Sequence, residues 1–255
     1  MAIEGNLEYA SARVQAQHGR LPGEADWQRL GASRDLGHYL DSTRGSALAA
    51  WTSSFDAHQD LHSIERSLRS QWKTHVERVA SWHPRACQPW LRWLAWLPAL
   101  PLLAHLARGE HPPAWLLADP VCGPIAGGNP GERAAAVIGT PLAPLASGIS
   151  ERASLAALWR GHWARLAPRT DPDTRAHMDQ LLAAIDRHAA AVASAGSTPE
   201  LRAGLAGRLE TLFRSSQGTV VASACHLGRL ALALERLRGE LASRYVLPPG
   251  TEESN

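Results

Sequence analysis

The stretch Val221–Leu241, VASACHLGRLALALERLRGEL, decides the fold. Within it Leu227, Leu230, Leu234, Leu237 and Leu241 return at intervals of three, four, three and four residues. That rhythm keeps one apolar seam on one side of an α-helix and suits packing against a nearly parallel or antiparallel neighbour. Working backwards, Leu205, Leu209 and Leu212 repeat it, and Met178, Leu181, Ile185, His188 and Val192 repeat it again. Gly196 and Gly218 punctuate the intervals, and Thr198-Pro199-Glu200 places a capping residue before proline at the first helical position. Residues from about Asp173 to Tyr245 therefore read as three antiparallel helices with short connections. Thr219–Ala222 (TVVA), β-branched but short, is assigned to a helix start.

Upstream the same periodicity holds. Leu61, Ile64, Leu68, Trp72, Val76, Val79 and Trp82 form the stripe of a long amphipathic helix that spans Asp56–Trp82 and stops at His83-Pro84. Further helices are expected near Leu7–His18, Trp27–Leu30 and Asp35–Trp51, with a proline-broken, Trp-rich helix from Pro89 to about Arg108 and a short one around Trp115. A helix over Glu151–Leu166 carries Leu155, Leu158, Trp159, His162 and Leu166 on one face. Between Asp119 and Ser150 glycine and proline are dense, and a surface loop or lid is expected. The expectation is an all-α protein, an antiparallel array of helices with a Gly/Pro-rich central loop. It divides into a helical region over 1–118, a loop or linker over 119–150 and a helical bundle over 151–255.

Composition narrows the function classes. Lys plus Arg number 26 against 24 Asp plus Glu, a net charge of +2 with no block of one sign, so the concentrated basic face of a nucleic-acid binder is missing. Lys73 is the only lysine, which leaves one residue for any Schiff-base or phosphate-loop role. The Arg, Ala and Leu excess is what a GC-rich bacterial genome produces. Cys87, Cys122 and Cys225 are far apart and form no CxxC, as idle thiols of a reducing compartment do. Met1–Tyr9 has neither the basic nor the apolar part of a signal peptide. Trp90–Leu106 is interrupted by Arg92, Pro98, Pro101 and His105, too short and too broken to span a bilayer. A cytoplasmic location is expected, with any membrane association peripheral and through a larger complex.

Few constellations carry chemistry. His58, His62 and Glu65 could share one helical face and hold a transition metal, but no second ligand set accompanies them and two solvated histidines explain them as well. Gly123–Gly131 (GPIAGGNPG) lacks the strand, the Lys-Ser/Thr and the GxGxxG spacing of a phosphate loop. Cys225 and His226, adjacent on a helix, point about 100° apart and cannot form a nucleophile–base pair. No catalytic residue, metal or cofactor is assigned. The ten tryptophans, against two phenylalanines and three tyrosines, are the oddity. Trp90, Trp93 and Trp96 line one side of a helix, as core beside Trp72 and Trp82 or as an aromatic patch for a partner or membrane interface. Around the C-terminal leucines, Glu235, Arg236, Arg238 and Glu240 give i, i+3 and i, i+4 surface support or rim a helix-docking groove.

Two stretches resemble the subunit that caps the membrane rotor ring of V-type and archaeal A-type ATPases, the d-subunit family. They are Tyr9-Ala10-Ser11-Ala12-Arg13-Val14, followed by the helical Leu36–Trp51, and the closing helix Val221–Leu241 with its Glu-Arg-Leu-Arg group. Together they cover about a quarter of the chain, which is shorter than is usual for that family. The resemblance implies an all-helical, non-catalytic, cofactor-free subunit that holds a central-stalk helix in a funnel. The expectation is an adaptor or assembly subunit of a membrane-associated complex, with Tyr9, Arg13, Trp90, Trp93, Trp96, Arg236 and Arg238 as partner-binding residues. The alternatives are an all-α module for a small apolar ligand, seated between the Trp-rich segment and the Gly/Pro lid, and a metal protein using His58 and His62.

Overall fold

The computed structural model describes residues 6–151, 154–196 and 198–246. Fifteen helices occur in order among them: α1 Leu7–His18, α2 Glu24–Gly31, α3 Leu36–Arg44, α4 Ala49–Thr52, α5 Leu61–Ser81, α6 Gln88–Arg92, α7 Leu100–Ala107, α8 Ala114–Leu117, α9 Gly123–Ala126, α10 Pro130–Ile138, α11 Ala146–Ser150, α12 Leu155–Arg165, α13 Pro172–Ala195, α14 Pro199–Ser215 and α15 Val220–Val246. Short 3-10 segments cover Arg85–Cys87, Trp93–Ala99 and Ala143–Leu145, and no β-strand occurs among the described residues. The protein is all-α.

The architecture grows from α15. Its first eight residues, Val220–Leu227, are buried without interruption, the signature of a helix enclosed on every side. Beyond them the burial narrows to Leu230, Leu234, Leu237 and Leu241, the seam read in the sequence. α14 and α13 pack against it as its neighbours in the chain. The turns follow the predicted punctuation, with Gly218 at φ +81° and Gly196 at φ +75°, values a side chain with a Cβ rarely adopts. Thr198 caps α14 by accepting from the Leu201 N–H at 3.3 Å. α1, α3 and α5 cover other sides of α15.

α5 begins at Leu61 because Asp60 caps it, accepting from the Ser63 N–H at 2.9 Å, so Asp56–Gln59 lie outside the helix expected there. The Trp-rich segment is core. Pro98 holds Trp93–Ala99 in 3-10 form, and Trp90 and Trp93 are 0 % and 5 % exposed. The indole N–H groups act as cross-links between distant helices: Trp72 donates to the Leu94 carbonyl at 3.0 Å, Trp93 to Trp159 at 3.0 Å and Trp163 to Trp90 at 2.8 Å. Trp90 and Trp163 stack with centroids 4.9 Å apart. An exposed aromatic patch is therefore not formed by Trp90 and Trp93, because each indole fills the space between α12 and the N-terminal helices.

The Gly/Pro-rich stretch also differs from the loop or lid expected of it. Asp119–Ser150 folds into three short helices with Ile125, Val137, Leu142, Leu145 and Ile149 buried. Asn129 and Glu132 form a reciprocal capping box at the start of α10. A Cβ on Gly148 would collide with the Leu155 side chain, so this glycine permits the close approach of α11 to α12. The prolines sit mostly at first helical turns, where a missing N–H costs nothing.

Candidate functional site: a groove along the closing helices

Past its buried start, α15 hides only its leucine seam, and the side turned from that seam lines a groove of about 1200 Å³. α14 contributes Arg202, Ala203, Ala206 and Gly207, and α2 with the turn before it contributes Pro22, Glu24 and Trp27. The α15 residues involved run from Arg229 to Ser243, about 21 Å at 1.5 Å per residue. That length matches about four turns of a second helix laid alongside.

The inner surface is built from small residues. Ala203, Ala206, Gly207, Ala233, Gly239 and Ala242 all line it. Gly207 and Gly239 sit in helix interiors, and a Cβ on either would meet nothing within 4 Å. Each costs its helix about 1 kcal/mol relative to alanine, and no contact among the described residues requires it.

The charges around the groove are paired across elements. Arg236 binds Glu24 of α2 at 3.0 Å with its guanidinium 4.7 Å from the Trp27 ring centroid, and Arg238 binds Glu65 of α5 at 2.8 Å. Arg202 lies 3.7 Å from Glu235, and Arg229 donates to the Ala206 carbonyl at 3.1 Å. The Arg236 and Arg238 charges therefore tie α15 to helices distant in sequence rather than supporting their own helix at i, i+4; Arg244 with Glu240 is the pair of that kind. Four acidic and four basic residues line the groove, so its charge favours neither a strongly anionic nor a strongly cationic ligand. Arg238 and Glu65 are part-buried, whereas the exposed Arg236–Glu24 pair contributes at most about 1 kcal/mol and can exchange partners cheaply.

The other sequence-predicted residues do not converge here. Tyr9 and Arg13 lie on the outer face of α1, where Arg13 Nη1 donates to the Tyr9 hydroxyl at 2.6 Å and the guanidinium sits 4.8 Å from the Trp82 ring centroid. Trp96 is half-buried, with Lys73 Nζ 4.9 Å from its ring centroid. His58 lies in the turn before the α5 cap, and His62 stacks on Trp115 at 4.6 Å, so the shared helical face expected of them is not formed. No helix among the described residues is long and apolar enough to cross a membrane. In the sequence the groove shows only as Gly207 and Gly239 inside otherwise periodic helices, and Gly204 and Gly228 share that pattern without lining it. Comparison with family models, curated proteins and solved structures returns no match.

Proposed function

We propose that this protein is a non-enzymatic helical adaptor that seats one helix of a partner protein in the groove between α2, α14 and α15. The observation that carries this reading is the pair of mid-helix glycines, Gly207 and Gly239, which open the groove floor at a cost to the fold and where an added Cβ would meet nothing within 4 Å among the described residues. Small floor residues allow a second helix to approach closely, and a rim balanced in sign suits a partner helix carrying charges of both kinds. The resemblance to rotor-cap subunits supplies the partner class within this proposal: a stalk-like helix of a larger, membrane-associated complex, met on the cytoplasmic side.

A photo-crosslinking residue at Ala203, an exposed groove position, tests this in the native cell. The expected result is one dominant cross-linked protein that disappears when Gly207→Trp fills the groove and persists when Ser194→Trp adds the same bulk on exposed α13. Equal cross-linking in both variants would refute the groove as the docking site.

A further inference from the structure

Across the fold from the groove floor, five buried polar atoms without a partner gather in one place. A cavity of about 520 Å³ lies where the end of α1, the following turn, α4 and one face of α5 meet α15. Gln71, His75 and Arg78 reach it from successive turns of α5, Gln17 from the end of α1, Arg20 from the turn after it, and His226 from the enclosed start of α15. Gln17 Oε1, Gln71 Oε1, His75 Nε2 and both ring nitrogens of His226 are buried without a hydrogen-bond partner among the described residues. His226 itself is 1 % exposed. Native interiors leave few such atoms unpaired, and a cluster of them asks for an explanation.

The hydrogen positions follow from the neighbours. Arg78 Nη2 lies 2.9 Å from His75 Nδ1; a guanidinium only donates, so Nδ1 holds the lone pair and Nε2 carries the hydrogen. Behind His226, at a ring separation of 5.6 Å, His18 donates Nε2–H to Glu210 at 2.9 Å, which leaves its buried Nδ1 as an acceptor. Burial pushes His75 down to about 4, and burial with the neighbouring His75 and His18 pushes His226 down to about 3, so both rings are neutral at neutral pH. The interior thus presents one donor from His75, one donor and one acceptor from His226, and two amide oxygens. Arg20 and Arg78 stand exposed around it, and no Asp or Glu lines it among the described residues. Trp51 adds a flat apolar wall. No three His, Cys, Asp or Glu side chains among the described residues are placed to hold a metal ion.

We infer that this cavity binds a small hydroxylated organic anion, its carboxylate or phosphate against Arg20 and Arg78 and its hydroxyl groups against His75 and His226. A hydroxyl both donates and accepts, which matches a pair of neutral imidazoles as an ion would not. The volume falls within the range of small-molecule sites, about 300–1,000 Å³. This site shares only Leu21 and Pro22 with the helix groove, and Gly207 lies outside it, so Gly207→Trp leaves it intact.

Titration calorimetry with glycerol phosphate and with malate tests the inference, with inorganic phosphate and acetate as anions lacking hydroxyls. One of the two hydroxylated anions is expected to bind one to one, about tenfold or more tighter than its bare counterpart; which one binds distinguishes phosphate from carboxylate. Arg78→Gln, a change at an exposed position, lowers that affinity about tenfold or more. His226→Leu abolishes binding while raising the melting temperature, because it deletes two unpaired buried nitrogens. Absence of binding by either anion at about 10 mM, equal binding of the bare anions, or affinity unchanged in Arg78→Gln would each overturn the inference, the last even if His226→Leu fails to fold.

Discussion

Replacing both Gly207 and Gly239 by alanine separates what the fold needs from what the groove needs. Both positions are helical and open, with nothing within 4 Å of an added Cβ. Alanine narrows the unfolded ensemble and shields helix backbone, which is worth about 0.8–1.0 kcal/mol per site. The double variant should therefore gain roughly 1.5–2 kcal/mol, and at about 2–4 °C per kcal/mol for a domain of this size its melting temperature should rise roughly 3–8 °C. Urea denaturation would show the midpoint moving upward with an unchanged slope, the mark of altered stability rather than altered compactness. The same variant should cross-link its partner more weakly, because two methyl groups now stand on the floor. A melting temperature that falls would refute the reasoning, since it would mean that those glycines are already in tight contact and the groove is closed.

The buried imidazoles make stability depend on acidity. His75 and His83 are held near 4 and His226 near 3 by burial, against 6.5 in the unfolded chain, so the unfolded state takes up the proton first. Their contribution is complete above pH 6.5 and declines as pH falls from there toward 4, by about 1.4 kcal/mol per pH unit for each ring; a urea midpoint flat over that window would contradict it. Leu234→Asp should disrupt the α13–α15 packing, because Leu234 is 6 % exposed and an unpaired buried charge costs several kcal/mol; an unchanged thermal midpoint would place this leucine at the surface. Trp163→Phe, which strands the Trp90 carbonyl and leaves a void beside its stacked ring, should cost about 2–4 kcal/mol by urea titration. A loss under about 0.5 kcal/mol would show that the indole bond is dispensable.

Local periodicity made the closing bundle legible: the leucine rhythm of α15, the Thr198-Pro199 start and the two turn glycines are all signals contained within a few residues. The helices of Asp119–Ser150 escaped because α9 and α11 are four and five residues long, too short to show a period. For the tryptophans, composition announces area but not direction; that Trp93 faces Trp159 rather than solvent depends on α12 packing from across the chain. Both proposed sites share this property. Arg236 meets Glu24, and His226 stands near His18 and His75, only after α15 has been inserted among α1, α2 and α5. Spacing along one helix speaks only to His226 and its neighbour Cys225, whereas the ring partners of His226 come from α1 and α5.

The enclosed start of α15 has a consequence for biosynthesis. α15 supplies surface against which α1 and α5 pack, with His226 near His18 and His75, yet its start is translated about 200 residues after the end of α1. At about 5–20 residues per second, the N-terminal helices wait roughly 10–40 s for that support. During the interval the faces of α1 and α5 that meet α15 lack part of their native cover, so the nascent chain should depend on a holding chaperone until synthesis delivers that helix.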